Sequence, residues 1–334
     1  MTIKDVAEHS GVSVSTVSRV LNEHPDVSKA VREKVMASVH ALHYVPNSSA
    51  RDLVRPQSDV IGVIARGISN PFFSPVLLSI EQEISRSGYT MVLNQIITND
   101  DELTAAAALI RSKRLRGVIL LGGRFDYTPE EAAALDVPFV CCSFTNSFGS
   151  LDRGRYASVS INDEQEARRA VDLLIKRGHR KIAVLLTSMN DRSISQLRYR
   201  GYCDALRGAG IEPDPTLCEE IGEYSMEAAY TGTKQLLQRN PDFTALFTIA
   251  DSFGIAAIKA LHEIGRRIPE DCALISIDGI EMSQYTIPTL STLIQPADTM
   301  GTETVRILID MIEGRREGQD IRLETVLRQG SSLE

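Results

Sequence analysis

Thr2-Ile-Lys-Asp-Val-Ala-Glu-His-Ser-Gly-Val-Ser-Val-Ser-Thr-Val-Ser-Arg-Val-Leu-Asn22 sets two short helical patterns on either side of one glycine. Ile3, Val6 and Ala7 recur at helical spacing, and Thr2 with Asp5 three residues on predicts a capping box at the start. Gly11 interrupts. Ser13 then caps a second helix running through Leu21, with Val17, Val20 and Leu21 as its apolar rear. After the breaker Asn22–Pro25, Ser28 caps a third helix carrying Val31, Val35, Val39 and Leu42 on one stripe. Two short helices joined by a tight turn describe a helix-turn-helix. The outward face of the second helix is Val14, Ser15, Ser18, Arg19 and Asn22, small and polar apart from one arginine. Such a face fits a major groove: Arg19 can pair bidentately with guanine, Ser15 can bond several base edges, and Val14 can touch a thymine methyl. Thr2, Thr16, Ser28 and Tyr44 suit phosphate contacts, which position without reading sequence. On geometry alone, a protein-contacting helical module with a solvated Arg19 is the alternative.

Residues 46–56 lie between Pro46 and Pro56 with no apolar stripe and read as a linker. From Val60 onward, apolar runs alternate with helix-length segments. The strand candidates are Val60–Ala65, Thr90–Asn94, Val118–Leu121, Phe139–Cys142, Val159–Ile161, Ile182–Leu186, Leu246–Thr248, Ala273–Ile277 and Thr292–Ile294. Helical segments such as Pro75–Gly88, Glu164–Arg177, Met226–Arg239 and Ser252–Ile264 fall between them. Continuously apolar strands alternating with helices imply parallel sheets covered on both faces. Nine strands over about 270 residues suit two doubly wound lobes better than one sheet. The length of 334 residues agrees with two domains and a small module. No glycine-rich dinucleotide or phosphate-loop motif follows any strand.

Composition closes off several classes. Hydrophobic residues make up 43% and charged residues 24%, ordinary for a chain with a sizeable core. No apolar run approaches the ~20 residues of a membrane-spanning helix, and the N-terminus lacks the apolar core of a signal peptide, so a cytoplasmic location is expected. The five cysteines, Cys141, Cys142, Cys203, Cys218 and Cys272, show no metal-ligand spacing and read as small buried hydrophobes; no cofactor or metal is expected. The net charge of −8 does not advertise nucleic-acid binding, but it is segregated. Residues 1–56 hold seven basic and six acidic residues, net +1, whereas the remainder is net −9. Charge by itself leaves DNA binding open.

The stretch from Thr2 to Asn22, with Val27-Ser28 and His43-Tyr44-Val45-Pro46-Asn47 after it, resembles the headpiece of the LacI/GalR family of bacterial transcription regulators. The likeness spans the whole chain: Ile68-Ser-Asn-Pro-Phe-Phe73, Arg177-Gly-His-Arg-Lys-Ile182, Arg200-Gly-Tyr202, Pro269-Glu-Asp271 and Leu290-Ser-Thr-Leu-Ile-Gln-Pro296. The resemblance implies an all-α helix-turn-helix headpiece over 1–45 and a hinge helix over 46–56. A two-lobed, periplasmic-binding-protein-like α/β domain would follow over 57–334, with a first lobe of about 57–160 plus 291–325 and a second of about 161–290. It further implies a homodimeric repressor on a near-palindromic operator, controlled by a sugar or sugar derivative. Two headpieces acting together answer the charge objection. Val14, Ser15 and Arg19 fall on the family's base-reading positions. Asn47 and Ala50 fall in its hinge helix, and Leu53 on the residue that wedges into the minor groove. A helix of about two turns is marginal alone, so moving the hinge starts apart would release the operator.

Ligands of open α/β sheets bind beyond the carboxyl ends of strands, which singles out Arg66, Gln95, Arg124, Ser143, Thr187, Asp251 and Asp278. The resemblance adds Phe72, Phe73, Arg198 and Tyr224. Arg198 with Asp278 would clamp vicinal hydroxyls or a carboxylate, and Phe72 and Tyr224 would offer flat faces to a sugar ring. On the bland reading, Phe72 and Phe73 are core and Asp278 caps a turn with Gly279. Ile161 stands just before Asn162 where many relatives carry aspartate, and Ser143 and Ala250 stand where sugar-binding members often place Asp and Asn. With Arg66, Arg124 and Arg192 nearby, these departures point to a ligand more anionic, or less hydroxylated, than a simple hexose. The competing functions are a solute-binding protein, disfavoured by the headpiece, and an enzyme, disfavoured by the lack of any readable nucleophile–base arrangement. A catabolite-control regulator that senses a phosphorylated carrier protein is a third. No leucine heptad precedes Glu334, so a dimer and not a tetramer is expected.

Overall fold

A computed structural model describes residues 1–21, 24–42, 44, 58–67, 69–97, 100–152, 154 and 156–333. The chain divides into two compact units, Met1–Ser58 and Asp59–Glu334.

The first unit holds three helices, α1 (Ile3–Ser10), α2 (Val14–Leu21) and α3 (Lys29–Ala41). The N–H of Thr2 donates to Asp5 at 2.7 Å, closing the start of α1. Gly11 ends α1 in the left-handed region at φ 61°, where a Cβ would be strained. Ser13 Oγ accepts from the Thr16 N–H at 3.1 Å and opens α2. The expected cap on α3 is different: Ser28 holds the capping position, but its side chain makes no capping bond, so an extended backbone alone starts the helix. Val6, Ala7, Val17, Val20 and Val35 form a small core, with Val31, Val39, Leu42 and Tyr44 packed on it.

The second unit contains two six-stranded sheets. In chain order the strands are β1 (Val60–Arg66), β2 (Thr90–Ile96), β3 (Gly117–Leu121), β4 (Phe139–Cys142), β5 (Ala157–Ile161), β6 (Ile182–Leu186), β7 (Cys218–Glu220), β8 (Ala245–Thr248), β9 (Ala273–Asp278), β10 (Ser291–Ile294), β11 (Asp320–Leu323) and β12 (Val326–Arg328). The helices are α4 (Phe73–Arg86), α5 (Glu102–Lys113), α6 (Pro129–Ala132), α7 (Asp163–Lys176), α8 (Ile194–Gly208), α9 (Met226–Arg239), α10 (Asp251–Glu263) and α11 (Ala297–Ile312). The first sheet runs β2-β1-β3-β4-β5-β11 and is wholly parallel. The second runs β7-β6-β8-β9-β10-β12, parallel apart from the antiparallel β12. Strands β3 and β6 are buried along their full length, as their unbroken apolar runs require, and β5 and β9 are buried as fully although they carry Ser158, Ser160, Ser276 and Asp278.

Two expectations change. Three more strands exist than the nine expected. β7 is three residues long, and β11, Asp-Ile-Arg-Leu, alternates polar and apolar at a sheet edge, so neither β7, β11 nor β12 is a recognisable apolar run. The lobe boundary also moves. β10 pairs with β9, Ser291 opposite Ile275, and so belongs to the second sheet and not the first lobe. The chain therefore crosses between sheets after Ile161, again at Gln295–Pro296, and a third time between β11 and β12. The five cysteines are all buried and without disulfides. Among the described residues no helix is long and apolar enough to cross a membrane, and no cluster of metal-ligating side chains occurs.

Candidate functional site

Two candidate surfaces exist, one in each unit. In the first unit, α2 turns Val17 and Val20 inward, and helical periodicity forces the opposite face out. Val14, Ser15 and Arg19 are exposed; Thr16 and Ser18 are half-buried. Ser13 Oγ lies 2.8 Å from both Ser15 Oγ and Thr16 Oγ1, which gathers hydroxyls at the helix start. Backbone N–H groups not bonded within the helix point the same way, so this end favours anions. Thr2 and Ser28 are exposed, whereas Tyr44 is half-buried against the core. Asn22, Asn47, Ala50 and Leu53 lie outside the described residues.

In the second unit, the ends of β1, β6, β8 and β9 and the crossover at Gln295 bring a charged group together. Arg198, on α8, is 2% exposed. Its Nε donates to Asp163 Oδ1 at 3.0 Å and its Nη2 lies 2.9 Å from the same oxygen. Its Nη1 donates to the carbonyl of Ile249 and lies 3.6 Å from Asp278 Oδ1. Asp278 also accepts from Gln295 Nε2 at 2.8 Å and from Asn70 Nδ2 at 3.3 Å. Asn70 follows a strand of the first sheet and Arg198 follows one of the second, so Asp278 ties the two lobes. Burial raises its carboxyl, Arg198 opposes the rise and the nearby Asp251 adds to it, and together they bring it to about 7. Burial also raises Asp163 despite Arg198. For Arg198, burial opposes the charge and the two aspartates outweigh it.

A groove of about 670 Å³ opens beside this group, lined by Phe72, Ser74, Asp278, Ile280, Gln295 and Pro296 among others. Phe72 is therefore both core and wall, 3% exposed, with Phe73 tilted against it at 5.8 Å. Tyr224 packs on Phe253 at 4.7 Å, and its hydroxyl lies 3.2 Å from Ser252 Oγ. Burial lifts its hydroxyl well above the usual tyrosine range. Ser143 is held at φ 69°, half-buried, at the end of β4. Gln95 is exposed on β2, the edge strand of its sheet. Sequence reasoning passed over Asp163, Asn70 and Gln295. Asn70 and Gln295 stood inside quoted motifs, and Asp163 follows Asn162, whose side chain caps α7.

Two readings are corrected. The Asp251 carboxylate is bonded inward. Its Oδ2 accepts from the N–H groups of Gly279 and Ile280 at 3.0 and 2.9 Å and from Ser283 Oγ at 2.9 Å, and its Oδ1 accepts from Thr292 Oγ1 at 2.6 Å. Those bonds use up its capacity. The arginines read as anion receptors are likewise engaged. Arg66 pairs with Glu102 at 3.1 Å, Arg124 with Glu131 at 2.6 Å and Asp126 at 3.6 Å, and Arg192 with Asp126 at 3.7 Å. Glu102 is fully buried and also accepts from the Tyr127 hydroxyl and the Arg124 N–H. Arg66 and Arg124 are thus held by carboxylates of their own, and Arg192 shares Asp126 at the surface, which weakens the basis for an anionic ligand. The Arg192–Asp126 pair joins the two lobes, as does Arg200 of α8 over the Phe148 ring at 4.8 Å. Ile194 and Leu197 of α8 pack on the aromatic cluster of Phe125, Tyr127 and Phe144 beneath.

The comparisons agree with this layout. Residues 2–47 match the model of bacterial regulatory proteins of the lacI family, and residues 171–333 match that of the periplasmic binding protein-like domain. The HTH-type transcriptional regulator MalR of Clostridium butyricum is 37% identical, the match covering 99% of each chain. The structure of a transcriptional regulator CelR–cellobiose complex is 30% identical with a TM-score of 0.73, covering 99% of both chains. The lac repressor dimer bound to operator and the anti-inducer ONPF is 26% identical with a TM-score of 0.83, covering 100% of this chain and 99% of that one. A headpiece with a solvent-facing second helix, two parallel-stranded lobes and a similarity running the full length lead to one assignment: the chain belongs to the lacI family of bacterial regulatory proteins and is a DNA-binding transcription regulator.

Proposed function

We propose that this regulator is a cytoplasmic, non-enzymatic repressor, homodimeric on a pseudo-palindromic operator and controlled by a neutral, hydroxyl-rich effector: a short saccharide held between its lobes. The observation that carries the effector class is the buried Arg198–Asp163–Asp278 group next to a groove with an aromatic wall. Opposed donors and acceptors with little net charge suit sugar hydroxyls, and the paired arginines leave no surplus for a phosphate or carboxylate. The solved relative with cellobiose agrees in ligand class. Asp278, Arg198, Phe72 and Tyr224 would touch the sugar, with Phe73, Arg124, Ser143 and Arg192 around it. In the headpiece (residues 1–45), Arg19, Ser15 and Val14 would read base edges, while Thr2, Thr16, Ser18, Ser28 and Tyr44 hold the backbone. Asn22 would extend the reading face, and the linker of residues 46–56 would place Asn47, Ala50 and Leu53 in the minor groove.

Isothermal titration tests the effector: neutral disaccharides such as cellobiose and maltose against uronates and sugar phosphates. Binding confined to the neutral sugars supports the reading, and preferential binding of the anions overturns it. Selection from random duplexes at low ionic strength tests the operator. An inverted repeat is the expected product.

A further inference from the structure

A buried carboxylate bonded wholly within the fold lies behind the Arg198–Asp278 group. Asp251 opens α10, where the helix N-terminus favours negative charge. It is fully buried, and its four hydrogen bonds reach the turn after β9 (Gly279, Ile280, Ser283) and strand β10 (Thr292). Those segments deliver the cleft. Asp278 is the last residue of β9, and Gln295, which donates to it, is the first residue after β10. The turn is strained. Asp278 sits at φ 140°, rare for a side-chain-bearing residue, and Gly279 follows at φ 80° with space for no Cβ, since Ile294 would lie 2.7 Å from it. Such a conformation persists where its surroundings over-determine it, and the Asp251 carboxylate is what binds the next two backbone N–H groups. Arg328 of β12 donates to Ser283 Oγ and extends the brace to a further strand.

We propose that Asp251 is the positioning residue of the effector site: it fixes the strained turn that aims Asp278 across the cleft and puts a second buried carboxylate behind it. This rests on the saccharide reading for the ligand, but not for the ionisation. The groups facing Asp278 are Arg198 of α8, Asp163 of α7 through that arginine, Asp251 of α10 and Tyr224, with the uncharged Asn70 and Gln295. Burial raises Asp251 as well, against the hydrogen bonds from Thr292, Ser283 and Ile280 that favour its charge; removing that charge takes away an acidic neighbour that pushes Asp278 up, so the titration of Asp278 moves to lower pH.

Two variants separate geometry from charge. In Asp251→Asn one amide oxygen still accepts from Gly279, Ile280 and Ser283, and the NH2 faces the rotatable Thr292 hydroxyl, so the turn is kept and the charge is lost. Asp251→Ala removes every acceptor. In the full chain labelled at aspartate 13Cγ, the Asp278 signal is assigned by its loss in Asp278→Asn and should titrate near 7. Asp251→Asn should lower that midpoint by at least about half a unit, roughly threefold in proton affinity. Titration with cellobiose and maltose should show affinity reduced at least ~10-fold in Asp251→Ala and restored to within ~3-fold by Asp251→Asn, while sugar-free binding to the selected operator stays within ~3-fold of the parent. An unmoved midpoint in Asp251→Asn overturns the proposal, as does unaltered sugar affinity in Asp251→Ala. If Asp251→Ala does not fold, the Asp251→Asn midpoint decides. A parent protein that binds neither disaccharide refutes the saccharide reading alone, because the titration needs no ligand.

Discussion

Arg19 and Arg198 are the same side chain put to opposite uses. Arg19 stands exposed on α2, with neighbours set by helical periodicity a few residues away. Arg198 is buried between two aspartates that come from positions 35 residues before it and 80 after it. An exposed arginine costs nothing to maintain and acts when a partner arrives. A buried one is part of the fold, and its charge is tolerable because acids surround it.

The sharpest way to break this contrast is to truncate both. Arg198→Ala strands Asp163 and Asp278 in a dry interior, and the loss of one member of a buried pair costs about 3–5 kcal/mol. Urea unfolding of the full chain should show that loss together with abolished sugar binding. Arg19→Ala should leave unfolding within ~0.5 kcal/mol while costing ~1–3 kcal/mol in operator binding and relaxing preference at one base position per half-site. Uniform loss over all operator variants would instead make Arg19 a phosphate contact, and unaltered stability of Arg198→Ala would show the buried cluster to be dispensable.

That contrast also explains what could be read from the sequence. The headpiece was legible because each signal is local: Gly11 as a turn, Ser13 as a cap, Val17 and Val20 one helical turn from the face they leave exposed. The alternation of strands and helices in the second unit was legible for the same reason, down to the fully buried Ile182–Leu186. The buried group around Arg198 was half legible. Asp278 and Arg198 stood in recognisable places, but which acids and amides surround them depends on the order β7-β6-β8-β9-β10-β12, a long-range pairing no window of sequence contains. Asp251 shows the limit most clearly. It follows a strand end as a ligand-binding residue should, yet its carboxylate faces backward into a turn 28 residues downstream. The arginines misled similarly: Arg66 could not be seen to pair with Glu102 until β1 and α5 were packed together.

A subtler contrast separates ionisation from mere burial. The folded-state value of Asp278 lies above the ordinary carboxylate value, so the folded chain holds the proton more tightly than the unfolded one. That contribution to stability is fully present near pH 4 and is lost as the pH rises through about 7. Asp278→Asn removes the cost of ionising a buried group, while Arg198 keeps its closer partner Asp163 at 2.9 Å. Thermal unfolding should therefore rise by roughly 2–8 °C over the parent at pH 8, a gap that narrows on acidification. A constant gap from pH 5 to 8 would mean that Asp278 stays ionised throughout and that Arg198 dominates its environment.

The smallest effect belongs to a pair that joins the lobes from outside. Arg192 is 65% exposed and meets Asp126 at 3.7 Å, where Asp126 also faces Arg124 at 3.6 Å. Exposure and sharing both weaken the contact, and pairs of this kind are worth about 0–1 kcal/mol. Arg192→Gln should therefore leave unfolding almost unchanged. Its place between the lobes makes it sensitive to closure, however, so disaccharide affinity should fall by up to about fivefold at low salt and converge on the parent as screening shortens the reach of the charges. An affinity gap that persists at 0.5 M salt would mean that Arg192 touches the sugar itself, and the arginine would then move from the rim of the cleft to its interior beside Arg198.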